Sequence, residues 1–155
     1  MKRFLKLLVP HSHGPGEQQK LARARFPGVV GQSNLRLWQP GDHENVNRRI
    51  VIGLAASYSI PDLELLDVVD DAIQAGGPSL ATVEVFDVLD CREMSDFEKY
   101  IPGVTPVYQT PVVGIWEQGV LRAVGSGAVA RDLILSAVGR APSPASRPPG
   151  RDKLT

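Results

Sequence analysis

Runs of apolar and alternating residues predict five strands in this chain. Residues 49–57 (RIVIGLAAS) form a continuous apolar run, which is typical of a strand buried on both faces. Residues 82–89 (TVEVFDVL) alternate and predict a second strand. Residues 111–117 and 120–124 predict a hairpin, because Gln118-Gly119 between them provides a turn with glycine at positive φ. A short strand is predicted at residues 34–38.

Helical patterns fall between these strands, and the clearest covers residues 61–75. Pro61 suits the first turn of a helix, and the Gly76-Gly77-Pro78 sequence ends it. The apolar positions that share one face predict its buried side, namely Leu65, Val68, Val69, Ala72 and Ile73. The acidic residues Asp67, Asp70 and Asp71 are predicted on the solvated side, and Asp87 and Asp90 on another exposed face. Shorter helices are predicted at residues 93–100 and 128–138.

These elements divide the chain into three parts. Residues 1–33 are rich in proline and glycine and are predicted to form an N-terminal extension, with a short helical stretch at residues 17–25. Residues 34–140 carry the pattern β-β-α-β-α-β-β-α, which predicts an α/β domain with a mixed sheet flanked by helices. Residues 141–155 (APSPASRPPGRDKLT) are dominated by proline, serine and charge, and are predicted to be disordered.

Composition limits the classes of function. With 155 residues, 43% of them hydrophobic and 22% charged, the chain suits one globular domain rather than a disordered chain, a collagen or a membrane bundle. The 17 basic and 17 acidic residues give no net field that would indicate nucleic acid as a partner. No apolar run approaches the length that spans a membrane, and the apolar start of the chain is too short for a signal peptide. We therefore expect a cytoplasmic protein with no membrane partner.

The charges are unevenly distributed along the chain. Residues 1–50 carry a net charge of +6, residues 51–100 carry −9, and residues 101–155 carry +3. Two interpretations stay open at this point. The charges either form solvated faces, or the basic N-terminal arm contacts an acidic surface or lipid headgroups.

Few residues are suited to metal, cofactor or nucleophilic chemistry. A single cysteine, Cys91, excludes an internal disulfide, a CxxC pair and a cysteine-based zinc site. His11-Ser12-His13 offers two ligands only, and His43 lies elsewhere in a polar segment, so no metal site is predicted. Neither a phosphate-binding GxxxxGK[ST] loop nor a GxGxxG motif occurs, and we expect no cofactor.

Two segments resemble the thioredoxin-like superfamily. Residues 108–125 (YQTPVVGIWEQGVLRAVG) resemble the second half of thioredoxin, in which an X-Pro dipeptide with a cis peptide bond opens a hairpin strand. Residues 58–62 (YSIPD) fall where thioredoxins carry the Trp-Cys-Gly-Pro-Cys motif, so that Ser59 and Asp62 take the positions of the two redox cysteines. The resemblance implies a thioredoxin-like fold, a cis bond before Pro111 and a groove that receives extended polypeptide.

The replacement of both redox cysteines, by Ser59 and Asp62, implies a redox-inactive member of this superfamily. Exchange of disulfides needs a thiolate and a resolving thiol, and Ser59 and Asp62 provide neither. Ser59 is expected to cap the helix by accepting from the N–H of Asp62 or Leu63, or alternatively to contact a ligand. The residues that would line the polypeptide groove by this resemblance are Tyr58, Ser59, Ile60, Asp62, Val107 or Tyr108, Thr110 and Pro111.

The sequence therefore predicts a non-catalytic module that binds a protein or peptide partner. One alternative is a monothiol or peroxide-responsive protein that uses Cys91, with Ser59 as a weaker candidate for catalysis; it requires an exposed thiol with a low pKa. A second alternative rests on the strand Val85–Leu89 and Thr110-Pro111, which are similar to the KaiB family of clock proteins. That family is also thioredoxin-like and lacks a CxxC pair.

Overall fold

The computed structural model describes residues 2–8, 15–41, 47–57, 59–76, 81–103 and 109–138. Five strands and four α-helices lie in these ranges, together with two short 3-10 helices at Leu5–Leu8 and Val88–Asp90. In chain order, the elements are α1 (Pro15–Gln32), β1 (Arg36–Leu37), β2 (Arg48–Leu54), α2 (Ile60–Gly76), β3 (Thr82–Asp87), α3 (Met94–Tyr100), β4 (Val112–Glu117), β5 (Val120–Ser126) and α4 (Gly127–Val138). The predicted tail, residues 141–155, lies outside the described residues.

The strands form one mixed sheet in the order β1-β3-β2-β4-β5. Strand β3 runs parallel to both β1 and β2, whereas β4 is antiparallel to β2 and β5. The expected α/β architecture with a mixed sheet flanked by helices is therefore confirmed. Strand β2 lies at the centre, which explains its continuous apolar sequence, since six of its seven residues are buried.

Two hydrophobic clusters cover the two faces of the sheet. Alternate strand residues such as Ile50, Ile52 and Val85 pack with residues of α1, α2 and α4 in the larger cluster. The intervening residues Val51 and Phe86 face the other side, where side chains of α3 cover them. Within the described ranges, no helix is both long and apolar enough to cross a membrane.

The N-terminal segment contributes to the larger cluster. Phe4 and Leu7 are buried there beside Ala22, Phe26 and Val30 of α1. Helix α1 spans 18 residues and continues through Pro27, so it is longer than the stretch predicted at residues 17–25. Its buried residues recur every four positions, and this packing offsets the backbone hydrogen bond that a proline inside a helix removes.

The prediction that the acidic residues lie on exposed faces is wrong for three of them. Asp67 accepts hydrogen bonds from the backbone N–H groups of Phe4 and Leu5, at 2.8 and 3.0 Å. Asp70 is also buried, and Asp87 is buried at the end of β3. Burial raises the pKa of Asp67, although the two N–H donors act against this shift. By contrast, Val68 was predicted on the buried face and is 52% exposed.

Candidate functional site

One edge of the sheet brings together the segments that the sequence marks as functional. Because β1, β2 and β3 are parallel, their carboxyl ends lie at the same edge, and the amino end of β4 meets them there through the antiparallel pair Gly53–Val112. The turn that leads into α2 starts at this edge. Segments that follow or precede these strand ends are therefore neighbours, as in many ligand sites of α/β proteins.

The turn between β2 and α2 is held by its own polar side chains. The Asp62 carboxylate is buried and accepts from the Ala55 N–H at 3.1 Å. Ser59 Oγ accepts from the Asp62 N–H at 3.4 Å, which confirms the predicted cap. The buried Asp62 side chain therefore stabilises the turn, whereas the side chain of Ile60, at the first position of α2, is exposed.

The Thr110-Pro111 segment faces this turn. Its peptide bond is cis, and the buried Pro111 accepts from the Gly127 N–H at 2.8 Å through its carbonyl oxygen. Continuing the antiparallel register past Gly53–Val112 brings Thr110 to the level of Ala55. Thr110 is half-buried, and in the described part of the chain it makes no hydrogen bond.

The first turns of α2 and α4 lie side by side at the same edge. Arg131 of α4 donates from Nη2 to the Pro61 carbonyl oxygen at 3.1 Å and so links the two helices. Two large apolar side chains on these first turns are exposed, Ile60 at 51% and Val129 at 61%. Ser59, Ile60, Thr110 and Pro111 make up the stretch of surface that we call the edge groove, whereas Val129 lies on the β5 side of α4, against Gly125.

Several residues named in the sequence analysis lie outside the described residues. These are Tyr58, Val107 and Tyr108 of the predicted groove, and the histidines His11, His13 and His43. Of the predicted groove residues that are described, the structure brings Ser59, Ile60, Asp62, Thr110 and Pro111 to one edge of the sheet.

Cys91 lies away from the edge groove, directly after the 3-10 helix that follows β3. Its side chain is half-buried and packs against the cluster on the α3 side of the sheet. Burial, with Asp96 and Asp90 nearby, raises the pKa of the thiol to about 11. This is the opposite of the shift that activates a nucleophilic cysteine.

We expect the Cys91 thiol to react slowly in the folded protein. At about pH 9, the native chain should be alkylated by iodoacetamide more than about tenfold slower than the denatured chain, whose thiol has a pKa of about 8.5. Mass spectrometry of the alkylated fraction over time measures both rates. A native rate equal to or above the denatured rate would contradict the environment described for Cys91.

A separate pocket lies between α1, the ends of β1 and β3, and α3. Its volume is about 290 Å³. It is lined by four aromatic side chains and by charged groups at one side; the main lining residues are Arg23, Phe26, Trp38, Phe86, Asp87, Asp90 and Tyr100. No pattern in the sequence predicted this pocket. The one feature that pointed to it was Asp87 at the carboxyl end of the buried strand β3, because ligand sites of α/β proteins often lie at such strand ends.

Comparison with models of protein families, with curated proteins and with solved structures finds no match to this chain. Its functional assignment therefore rests on the geometry of the edge groove and of the pocket.

Proposed function

We propose that this chain is a thioredoxin-like domain without redox thiols, and that it binds an extended segment of a partner protein in the edge groove. The observation that carries the proposal is Thr110, which is half-buried, makes no hydrogen bond within the described chain and lies at the level of Ala55, just beyond the paired end of β2. An extended polypeptide pairs with the backbone groups of such a residue as an added strand does.

The strand order supports the thioredoxin-like part of the proposal. The order β1-β3-β2-β4-β5 and the antiparallel hairpin β4-β5 followed by a helix are compatible with that arrangement. At the start of α2, the side chains of Ser59 and Asp62 make hydrogen bonds at the two positions where thioredoxins have their redox cysteines. Cys91, the single cysteine, lies beyond β3 with a raised thiol pKa, so disulfide exchange has no support at this edge.

The exposed apolar side chain of Ile60 supports a polypeptide as the occupant. Ile60 is 51% exposed, although it begins a helix whose other apolar residues are largely buried. Burying such a side chain against a partner contributes roughly 1.5–3 kcal/mol. Backbone pairing at Thr110 then sets the direction of the bound segment, and Ile60 selects an apolar residue in it.

The experiment is a selection of peptides on the purified chain, followed by affinity measurements on variants. Ile60→Glu should weaken binding of the selected peptides by about tenfold or more, because it places a charge in an apolar contact. Val68→Glu and Val120→Glu are matched controls, since these valines are 52% and 50% exposed away from the groove. Both controls should retain full affinity.

Two outcomes would contradict the proposal. Equal losses in Ile60→Glu and in both controls would show that binding does not depend on the edge groove. Loss of binding in Cys91→Ser, or on addition of reductant, would show that Cys91 forms a mixed disulfide with the partner, in favour of the monothiol alternative.

A further inference from the structure

The pocket between α1, β3 and α3 contains a buried carboxylate oxygen without a partner. Asp87 is 5% exposed and lines the pocket. Its Oδ1 accepts from the Leu89 N–H at 3.0 Å and caps the 3-10 helix Val88–Asp90. Its Oδ2 is the one buried side-chain oxygen or nitrogen of the described residues that makes no hydrogen bond of ordinary geometry, and the Ala56 N–H lies close enough to the carboxyl group to lower its pKa. Such a group is costly to bury, so it indicates a ligand that donates a hydrogen bond.

The charges around the pocket favour a positively charged ligand. Arg23 donates to Asp90 at 2.8 Å, so these two exposed side chains neutralise each other at one side of the pocket. Asp87 then remains as the unbalanced charge. Burial raises the pKa of Asp87, with a further increase from Asp90, while the N–H groups of Leu89 and Ala56 and the Arg23 guanidinium lower it. A cation near Oδ2 would offset the free-energy cost of burying the ionised Asp87 carboxylate, since an opposite charge stabilises it.

Aromatic rings form another part of the lining. Tyr100 stacks on Phe86 with ring centroids 4.0 Å apart, and Trp38 packs on Tyr100 at 4.5 Å. Trp38 and Tyr100 are both half-buried, so part of each ring is open to the pocket. Aromatic faces attract cations and also provide apolar contact to the body of a ligand.

We propose that this pocket binds a protonated nitrogen carried on an apolar or aromatic body, either an organic ammonium ion or the lysine or arginine side chain of a polypeptide. The nitrogen donates to Asp87 Oδ2, and the body of the ligand lies against Trp38 and Tyr100. This inference goes beyond the edge groove and does not depend on the function proposed for it.

Nuclear magnetic resonance on the full chain tests this assignment with three probes of similar shape. Phenethylammonium should produce saturable shifts of the Trp38 indole N–H and of the Val85, Phe86 and Asp87 amides. Neutral 2-phenylethanol and anionic phenylacetate should bind at least about tenfold more weakly, because neither supplies a charged donor. Equal binding of the three probes, or no shift with phenethylammonium up to about 20 mM, a range that covers very weak ligands, would overturn the proposal.

Variants then test the role of Asp87. Asp87→Asn keeps an oxygen that can accept from Leu89 N–H but removes the charge, and should weaken phenethylammonium binding by about tenfold or more. Glu64→Gln removes one negative charge from an exposed position of α2 and should leave the affinity unchanged. Affinity within twofold of the unchanged protein in Asp87→Asn would overturn the proposal. If Asp87→Asn fails to fold, the three-probe comparison on the unchanged chain decides the question alone.

The source of the nitrogen is distinguished with peptides. A five-residue extended peptide with a central lysine that binds at least about tenfold more tightly than phenethylammonium, and its norleucine analogue that does not, would assign the pocket to a polypeptide side chain. Equal or weaker binding of the lysine peptide would assign it to a free organic amine. Ile60→Glu should leave binding of phenethylammonium unchanged, so a failure of the edge groove and a failure of the pocket are separate results.

Discussion

Arg49→Met should destabilise the folded chain by about 3–5 kcal/mol, because it leaves a buried carboxylate without its cation. Arg49 and Glu84 lie on neighbouring strands, with side chains that are 5% and 2% exposed. The guanidinium donates to both carboxylate oxygens, from Nε at 2.9 Å and from Nη2 at 2.7 Å, and also from Nη2 to the Gln39 carbonyl at 2.7 Å. Urea unfolding of the variant and the unchanged protein measures the difference.

Two controls distinguish the loss of this buried ion pair from the general effect of removing a positive charge on stability. Arg48→Met removes the neighbouring arginine, whose pair with Glu117 is much more exposed, and should cost less than about 1 kcal/mol. The double variant Arg49→Met with Glu84→Met should recover most of the lost stability, since it removes both buried charges. If Arg49→Met loses as little stability as Arg48→Met, the pair of Arg49 and Glu84 is not buried as described.

Asp70→Ala should be the second strongly destabilising change, with an expected loss of about 3 kcal/mol. Asp70 is 1% exposed and accepts from the Asn34 N–H at 2.8 Å, the Asn34 Nδ2 at 2.9 Å and the Arg3 Nε at 3.0 Å. The alanine variant leaves these donors without their acceptor, and it removes one of the two α2 carboxylates that bind the N-terminal segment, leaving only the contacts of Asp67. Trypsin should therefore cleave after Arg3 faster in the variant than in the unchanged protein.

Glu64→Ala provides the comparison for Asp70. Glu64 belongs to the same helix but is exposed, so its loss should change the free energy of unfolding by no more than about 0.5 kcal/mol. Equal effects of the two substitutions would contradict the role assigned to Asp70. So would an unchanged rate of cleavage after Arg3 in Asp70→Ala.

The elements of the sheet domain were predictable because their signals are local. Helix α2 was predicted at residues 61–75 and spans Ile60–Gly76, since proline and paired glycines bound a helical apolar pattern. Strand β2 and the β4-β5 hairpin follow from a continuous apolar run and from Gln118-Gly119, both of which have positive φ. The order in which the strands pair is a tertiary property, and it was expected only from the order of the elements along the chain and from the resemblance to the thioredoxin-like superfamily.

The N-terminal segment shows where local signals fail. Proline and glycine at positions 27, 28 and 31 indicate a broken helix, yet α1 continues through them because Phe26 and Val30 pack into the core. The burial of Asp67 and Asp70 was not predictable from helical periodicity. Their partners are backbone and side-chain groups of residues 3–5 and 34, which lie more than thirty positions away in sequence.

The edge groove was partly predictable, and the pocket was not. Ser59, Ile60 and Thr110 follow from two motifs at fixed places in the pattern of elements, whereas the hydrogen bond from Arg131 of α4 to the Pro61 carbonyl beside them is a tertiary contact. The pocket combines side chains from α1, β1, β3 and α3. No single segment carries enough of them to form a recognisable pattern.

Amide hydrogen exchange at Thr110 tests the proposed function most directly. In the free chain, the Thr110 N–H has no acceptor within the described residues and should exchange rapidly. With a selected peptide bound, pairing with the peptide backbone should slow its exchange by about tenfold or more, as expected for a strand hydrogen bond. Unchanged exchange at Thr110 in the saturated complex would contradict strand-like binding in the edge groove.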